Sequence, residues 1–371
     1  MTDKIRVGIV GATVTPGGSG WGANAHVPAL KALPQYELKA VCTAHEDTAR
    51  ASAAAFGVER AFHRFSDMAA HPEVDLIVVC VRVPGHRDLV MAGLQAGKAV
   101  FCEWPLGRTL AEAEEMAGLA GQRSIKTIVG LQARSAPAIL YASDLIREGY
   151  IGDVLTANLT CVVPAQLQRG PGRIWQGVRA NGANVLTITG GHAIDALCAV
   201  LGELAEVSAR VTTRIPEWRT LEGKAVPVDS PDSINVVGRM VSGAEVSVNV
   251  AAVPSNPGGN RIEIYGREGA LVIRAEGSFN TGGSEVHAGR GKEPLAAMPV
   301  PARYKVVPAG TPSGQPYNVA QAYARAAEAL RGRGSFDVDF ALAVRRHKLI
   351  DAIERSSATG RSVRLDQTFA S

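Results

Sequence analysis

The chain has 371 residues, 46% apolar and 20% charged, with 39 basic against 35 acidic residues and a formal net charge of +4. That is enough chain for two domains with large cores. The charge is too mild and too evenly mixed for a nucleic-acid or membrane-surface partner, and no apolar run reaches the ~18 residues of a membrane span. Residues 1–4 lead directly into a strand, so no signal peptide is expected. The five cysteines, at 42, 80, 102, 161 and 198, follow no disulfide or zinc spacing. They read as small buried apolar groups of a cytoplasmic protein.

Arg6 to Val10 is a short apolar run that reads as a buried strand, closed by Gly11. A loop with glycines at 17, 18, 20 and 22 follows, and Asn24 is placed to cap a helix running through His26 to Leu30. Strand, glycine loop and helix present backbone N–H groups and a positive helix end to a phosphate. Gly11, Thr13, Gly20, Trp21 and Gly22 are the candidate cofactor residues here. A strict G-x-G-x-x-G is not met, because Thr13 stands where its second glycine would be. Tyr36 to Cys42 reads as the next strand. A dinucleotide fold usually has an acid at its end to hold the adenosine ribose. Thr43 and His45 stand there instead, with Arg50 in reach, a set that tolerates a 2′-phosphate and favours NADP over NAD.

Leu76 to Val81 is a continuous β-branched run of the kind found in parallel sheets covered on both faces. Arg82 and His86 follow it, then a helix to Ala96. Lys98 to Cys102 is another strand, running into Glu103-Trp104-Pro105-Leu106. A helix from Leu110 to Arg123 and a strand from Lys126 to Leu131 come next. The alternation predicts a doubly wound parallel sheet over residues 1–130. Arg82, Glu103, Trp104 and Gln132, at or just past the carboxyl ends of these strands, are expected in the cofactor crevice, with His86 at its edge or capping a helix.

From residue 131 to 371 the pattern changes. After a helix over 136–148 come long strands at 154–163, 206–213, 233–240, 245–252, 261–265 and 270–273. A single helix, Asn184 to Leu201, lies among them and carries His192 and Asp195. This reads as an α+β domain with one open, mostly antiparallel sheet. Its uncovered face suggests a homodimer or homotetramer. Residues 277–316 read as irregular, and 318–330 and 340–356 as helices. None of the eight histidines has a metal-ligand spacing to Asp, Glu or Cys, so no metal is expected.

Glu103-Trp104-Pro105-Leu106, Gly190-Gly191-His192 with Asp195, and the closing run Asp339-Phe340 … Arg346 to Ile353 … Thr359-Gly360 together resemble the Gfo/Idh/MocA oxidoreductase family over essentially the whole length. Trp21-Gly22, Arg82 to His86, Leu131 to Arg134 and Gly149 to Asp153 resemble the branch that includes a fungal galactose-regulon repressor. The resemblance implies a Rossmann domain followed by a substrate-binding domain, a nicotinamide cofactor and a sugar- or polyol-like substrate. It also aligns Trp104 with the family's catalytic lysine, and Ile188 with an aspartate four residues before the histidine.

His192 is therefore read as the general acid/base of a hydride transfer, against the plain alternative of a core histidine. Asp195, one turn on, either orients His192 or sits in an ion pair. Glu103 either contacts the nicotinamide ribose or takes the proton itself. Trp104 either stacks on a sugar or nicotinamide ring or plugs the space of the missing lysine. Arg134 and Trp175 are candidate substrate contacts, Arg134 equally a structural ion pair. The expected activity is NAD(P)-dependent oxidoreduction of a hydroxyl or keto group. A dinucleotide-binding sensor without turnover is the rival. An enzyme using NAD transiently for elimination or glycoside cleavage is the third reading.

Overall fold

The computed structural model describes residues 4–14 and 20–365. Strand β1 (Ile5–Val10) is buried along almost its whole length and leads to a wide helical turn, Gly22–His26, continuous with α1 (Val27–Ala32). Asn24 lies inside that turn rather than at its cap, and Trp21 holds the cap position. The loop glycines 17 and 18 lie outside the described residues. The first half continues as β2 (Tyr36–Cys42), α2 (Glu46–Phe56), β3 (Arg60–Phe62), α3 (Phe65–Ala70) and β4 (Leu76–Val79). It closes with α4 (His86–Gln95), β5 (Ala99–Cys102), α5 (Leu110–Gln122) and β6 (Thr127–Val129). The six strands are parallel in the order β3-β2-β1-β4-β5-β6. Every residue of β4 is buried, as a strand covered on both faces must be.

After α6 (Pro137–Arg147) come β7 (Val154–Pro164), the one-turn α7 (Pro171–Ile174), α8 (Gly191–Leu201) and β8 (Leu204–Thr212). A small hairpin of β9 (Glu217–Arg219) and β10 (Ala225–Pro227) stands apart from the main sheet. Then follow β11 (Ser233–Met240), β12 (Glu245–Val253), β13 (Gly259–Gly266), β14 (Gly269–Ala275), β15 (Glu285–Arg290) and β16 (Ala296–Ala297). The chain ends its described part with α9 (Gln315–Leu330), α10 (Phe340–Thr359) and β17 (Val363–Arg364). The nine-stranded sheet is antiparallel apart from the β7–β12 pair. Two strands, β15 and β16, lie in the stretch read from sequence as irregular, because their short alternations are bracketed by glycines and prolines.

The two sheets do not divide the chain cleanly. Helix α9 returns to the first half, where Val319, Ala320, Tyr323, Ala326 and Ala327 share a core with Val27 and Leu30 of α1. Val338 accepts a backbone hydrogen bond from Val129 of β6, and the Asp339 side chain caps α10. Among the described residues no helix is long and apolar enough to cross a membrane.

Candidate functional site

A cleft of about 760 Å³ opens at the carboxyl ends of β1, β2, β4 and β5 and reaches across to α8 and the α7 segment. Gly11 begins it. Its φ is +96°, and a Cβ there would stand 2.5 Å from the Cys80 carbonyl oxygen, so the first turn can only be this tight with glycine. Thr13 and Trp21 line the same end, while Gly20 and Gly22 shape the turn behind them. At the end of β2, Thr43, Ala44, His45 and Thr48 form the wall. The Thr43 hydroxyl faces the Thr48 hydroxyl at 2.6 Å and the His45 carbonyl oxygen at 3.0 Å. Arg50 does not reach this wall, being ion-paired with Glu46 on the exposed face of α2.

At the far end stand Glu103, Trp104 and His192. The Glu103 carboxylate accepts from Gln132 Nε2 at 2.9 and 3.0 Å and faces His26 Nε2 at 2.8 Å. His26 Nδ1 lies 2.7 Å from the Tyr323 hydroxyl. His26 links Tyr323 of α9 to Glu103 through its two ring nitrogens. Gln132 is thus a support for Glu103 and does not line the cleft, contrary to the expectation from sequence. His26 and Tyr323 were missed. Their only sequence signal is a polar residue on an otherwise apolar helix face.

The Trp104 ring is 4% exposed, and its indole N–H donates to the Thr187 carbonyl at 2.8 Å. It packs against the His347 ring at 4.7 Å. A Cβ on Gly191 would lie 2.5 Å from the indole nitrogen, so Gly191 makes room for the tryptophan. Trp104 therefore borders the cleft from within the core and leaves it open.

His192 is 7% exposed and lines the cleft. Its Nδ1 is buried with no hydrogen-bond partner. Burial pushes its pKa below the ordinary 6.5, against the opposing pull of the Glu103 and Asp195 charges. Asp195 does not orient it. Both Asp195 oxygens accept from Arg134 Nε at 3.0 Å, and one also accepts from Arg346 Nε at 3.1 Å. Arg346 continues to Glu203 at 2.9 and 3.0 Å. The catalytic reading of Asp195 and the substrate-contact reading of Arg134 give way to this buried ion network, which is outside the cleft.

Arg82 and Trp175 both line the cleft and touch each other, the guanidinium 5.7 Å from the ring centroid. Arg82 also donates to the Pro171 carbonyl at 3.3 Å, tying the first half to the α7 segment. His86 is 1% exposed at the cleft wall, its two ring nitrogens 2.9 Å from the Pro105 and 3.1 Å from the Val81 carbonyl oxygens. It joins β4 to the Glu103 turn. Ser278, Asn280, Thr281 and Gln315 also line the cleft and had no signal in sequence, coming from the stretch read as irregular and from the start of α9.

The first half matches the family model described as an oxidoreductase family with an NAD-binding Rossmann fold, over residues 5–131. Residues 137–275 match the model of the Gal80p C-terminal domain. A dehydrogenase of Aspergillus oryzae, aclE, is 34% identical over 286 residues, covering 74% of this chain and 77% of its own. The chain belongs to the Gfo/Idh/MocA family of NAD-binding oxidoreductases. The galactose/lactose metabolism regulatory protein GAL80 of Saccharomyces cerevisiae is 29% identical, over 74% of this chain and 68% of its own. A crystal structure of levoglucosan dehydrogenase in complex with NADH and levoglucosan superposes with a TM-score of 0.84 at 25% identity. The alignment covers 98% of this chain and 100% of that one. The family thus holds both dehydrogenases and a regulatory protein. The cleft fits a dinucleotide. It has the tight Gly11 turn, a hydroxyl-lined wall at the end of β2, and a carboxylate and a histidine at its far end.

Proposed function

We propose that this chain is an NAD-dependent oxidoreductase that interconverts a hydroxyl and a carbonyl group on a sugar- or polyol-like molecule, with His192 exchanging the hydroxyl proton. One observation carries the reading. His192 lines an open cleft at the end remote from the Gly11 turn, and among the described residues neither ring nitrogen is taken by a protein hydrogen bond. The core histidine His347 also has an unpaired ring nitrogen but lies outside the cleft, so it is the position on the cleft that distinguishes His192. The wall at the end of β2 supports NAD over NADP, because it has hydroxyls and His45 and lacks an arginine once Arg50 is paired with Glu46.

The nicotinamide supplies the hydride chemistry when bound. The chain's own residues do the rest. Burial keeps His192 neutral at neutral pH, ready to accept the hydroxyl proton. The Glu103 charge, fixed by His26 and Gln132, favours the imidazolium that results. Trp104, which stands where the family has its lysine, supplies packing where a charge is lost, so substrate orientation falls to the α7 segment. Residues 1–130 hold the cofactor and 131–371 the substrate, with α9 crossing back. The polar strand face around Asn235, Ser247 and Asn249, with Val237 59% exposed, is our choice for self-association.

A sensor without turnover is the second reading, favoured by Trp104 and by the likeness to GAL80. Nicotinamide absorbance against a panel of sugars, polyols and keto sugars, with His192→Ala alongside, separates the two. The expected result is hydride transfer that falls about 10²–10⁴-fold in the variant while NADH affinity stays. Turnover undiminished in His192→Ala overturns the proton-transfer role. Tight NADH binding with no hydride transfer to any compound selects the sensor.

A further inference from the structure

A second cavity of about 320 Å³ adjoins the cleft, and the two share Val163, Arg173, Gln176, Ile188 and Thr189 as walls. Ile188 and Thr189 lie one helical turn before His192, roughly 5 Å along the axis. The annex therefore begins about one sugar ring away from the proposed reacting hydroxyl.

Two guanidinium groups line this annex. Arg169 lies flat on the Trp218 ring, 3.5 Å from its centroid. Its Nε donates to the Gln166 carbonyl at 2.9 Å and its Nη1 to Gln176 Oε1 at 3.3 Å. Neighbouring glycine and indole thus fix its plane, since a Cβ on Gly177 would meet the Trp218 ring at 3.1 Å. Arg173 stands nearby. Burial, and after it the positive charge of Arg173, pulls the Arg169 pKa down to about 10. Neither arginine has a carboxylate within ion-pair distance among the described residues. The one carboxylate lining the annex, Asp232, already accepts from the backbone N–H groups of Arg214 and Ile215 at 2.7 Å each. By contrast Arg134 and Arg346 hold Asp195, Arg60 holds Glu73, and the part-buried Arg325 spends its Nη1 on the Arg134 carbonyl and the Ser135 hydroxyl. Two like charges kept together, one of them half-buried on an indole, are costly unless an anion joins them. A planar, orientation-locked guanidinium is the group that recognises an oxyanion through two parallel hydrogen bonds.

We infer that the annex is an anion subsite, in which Arg169 and Arg173 bind the carboxylate or phosphate of an acidic, polyhydroxylated substrate whose hydroxyl reaches His192. This rests on the oxidoreductase reading for the hydroxyl and not for the anion. It narrows the substrate class from neutral sugars to sugar acids or sugar phosphates.

The test is calorimetric titration of the NADH-loaded protein with D-glucuronate, D-glucose 6-phosphate and D-glucose, in the wild type, Arg173→Gln, and Arg169→Gln/Arg173→Gln. Thermal melting shows that each variant is folded. The expected result is at least tenfold tighter binding of one of the two acids than of D-glucose. That margin should drop about threefold or more in Arg173→Gln and vanish in the double variant. The tighter acid identifies carboxylate or phosphate as the natural group. Arg173→Gln keeps the Trp218 stack and so stays informative should the double variant fail to fold. Equal binding of acids and D-glucose, no measurable binding of either acid, or a margin that survives the substitutions overturns the subsite. With NAD+ supplied as the hydride acceptor, an acid bound tightly but giving no NADH overturns the oxidoreductase reading and leaves the subsite standing.

Discussion

Two buried carboxylates act on His192, and their surroundings differ in one respect. Glu103 is held by an amide and an imidazole, Gln132 and His26, and keeps an edge in the cleft. Asp195 is held by two arginines and is 0% exposed. An amide donor such as Gln132 fixes a carboxylate without adding a positive charge, so the negative charge stays available to a neighbouring proton. Cationic donors cancel that charge and turn the same group into a structural joint. The position of an acid one helical turn from a histidine therefore says little about partnership. What sits on its other side decides.

The largest effect expected from this contrast is on folding. Arg346→Met removes the fully buried guanidinium that, with Arg134 beside it, bridges Asp195 and Glu203. It should cost about 3–5 kcal/mol in urea unfolding, because breaking one partner strands the others in the interior. A loss below about 1 kcal/mol would break the claim that this network is structural. Next, Gly191→Ala forces a methyl onto the Trp104 indole. About 1–3 kcal/mol of overpacking should follow, visible in the unfolding midpoint and in tryptophan fluorescence. Glu103→Gln tests the other network. It should leave the unfolding curve close to wild type and lower turnover about tenfold, which corresponds to about 1.4 kcal/mol in the barrier. Equal losses of stability from Glu103→Gln and Asp195→Asn would erase the distinction drawn above. The smallest effect is in the pH profile. With the His192 pKa pushed below 6.5 by burial, the base form is already present at neutral pH. Oxidation should stay level as pH falls to 6.5 and drop only beneath it. Glu103→Gln removes a charge that raises this pKa and should move the limb further down.

Sequence made the parallel sheet legible because β1, β4 and β5 are buried on both faces, which leaves unbroken runs such as Leu76 to Val79. The placement of His192 came from the family resemblance, since a polar ring on an apolar helix beside two glycines reads by itself as a core histidine. The partners of the site were not. Glu103 meets His26 across 77 residues, and His26 meets Tyr323 across 297. No local pattern encodes such pairings. Asp195 was ambiguous because both its arginines come from outside its own helix, Arg346 from 151 residues away. Strands β3 and β17 have three and two residues, too few for a period to register.

The hydroxyl of Tyr323 reaching His26 carries a further consequence, for the order in which a newly made chain can finish folding. The nucleotide-binding half emerges from the ribosome first, yet the part of the α1 core that α9 completes around Val27 and Leu30 stays open until α9 has been synthesised. During that interval an apolar surface and the Nδ1 of His26 lack their α9 partners on an otherwise formed sheet, the kind of intermediate that invites chaperones or aggregation. Synthesis of α9 closes it.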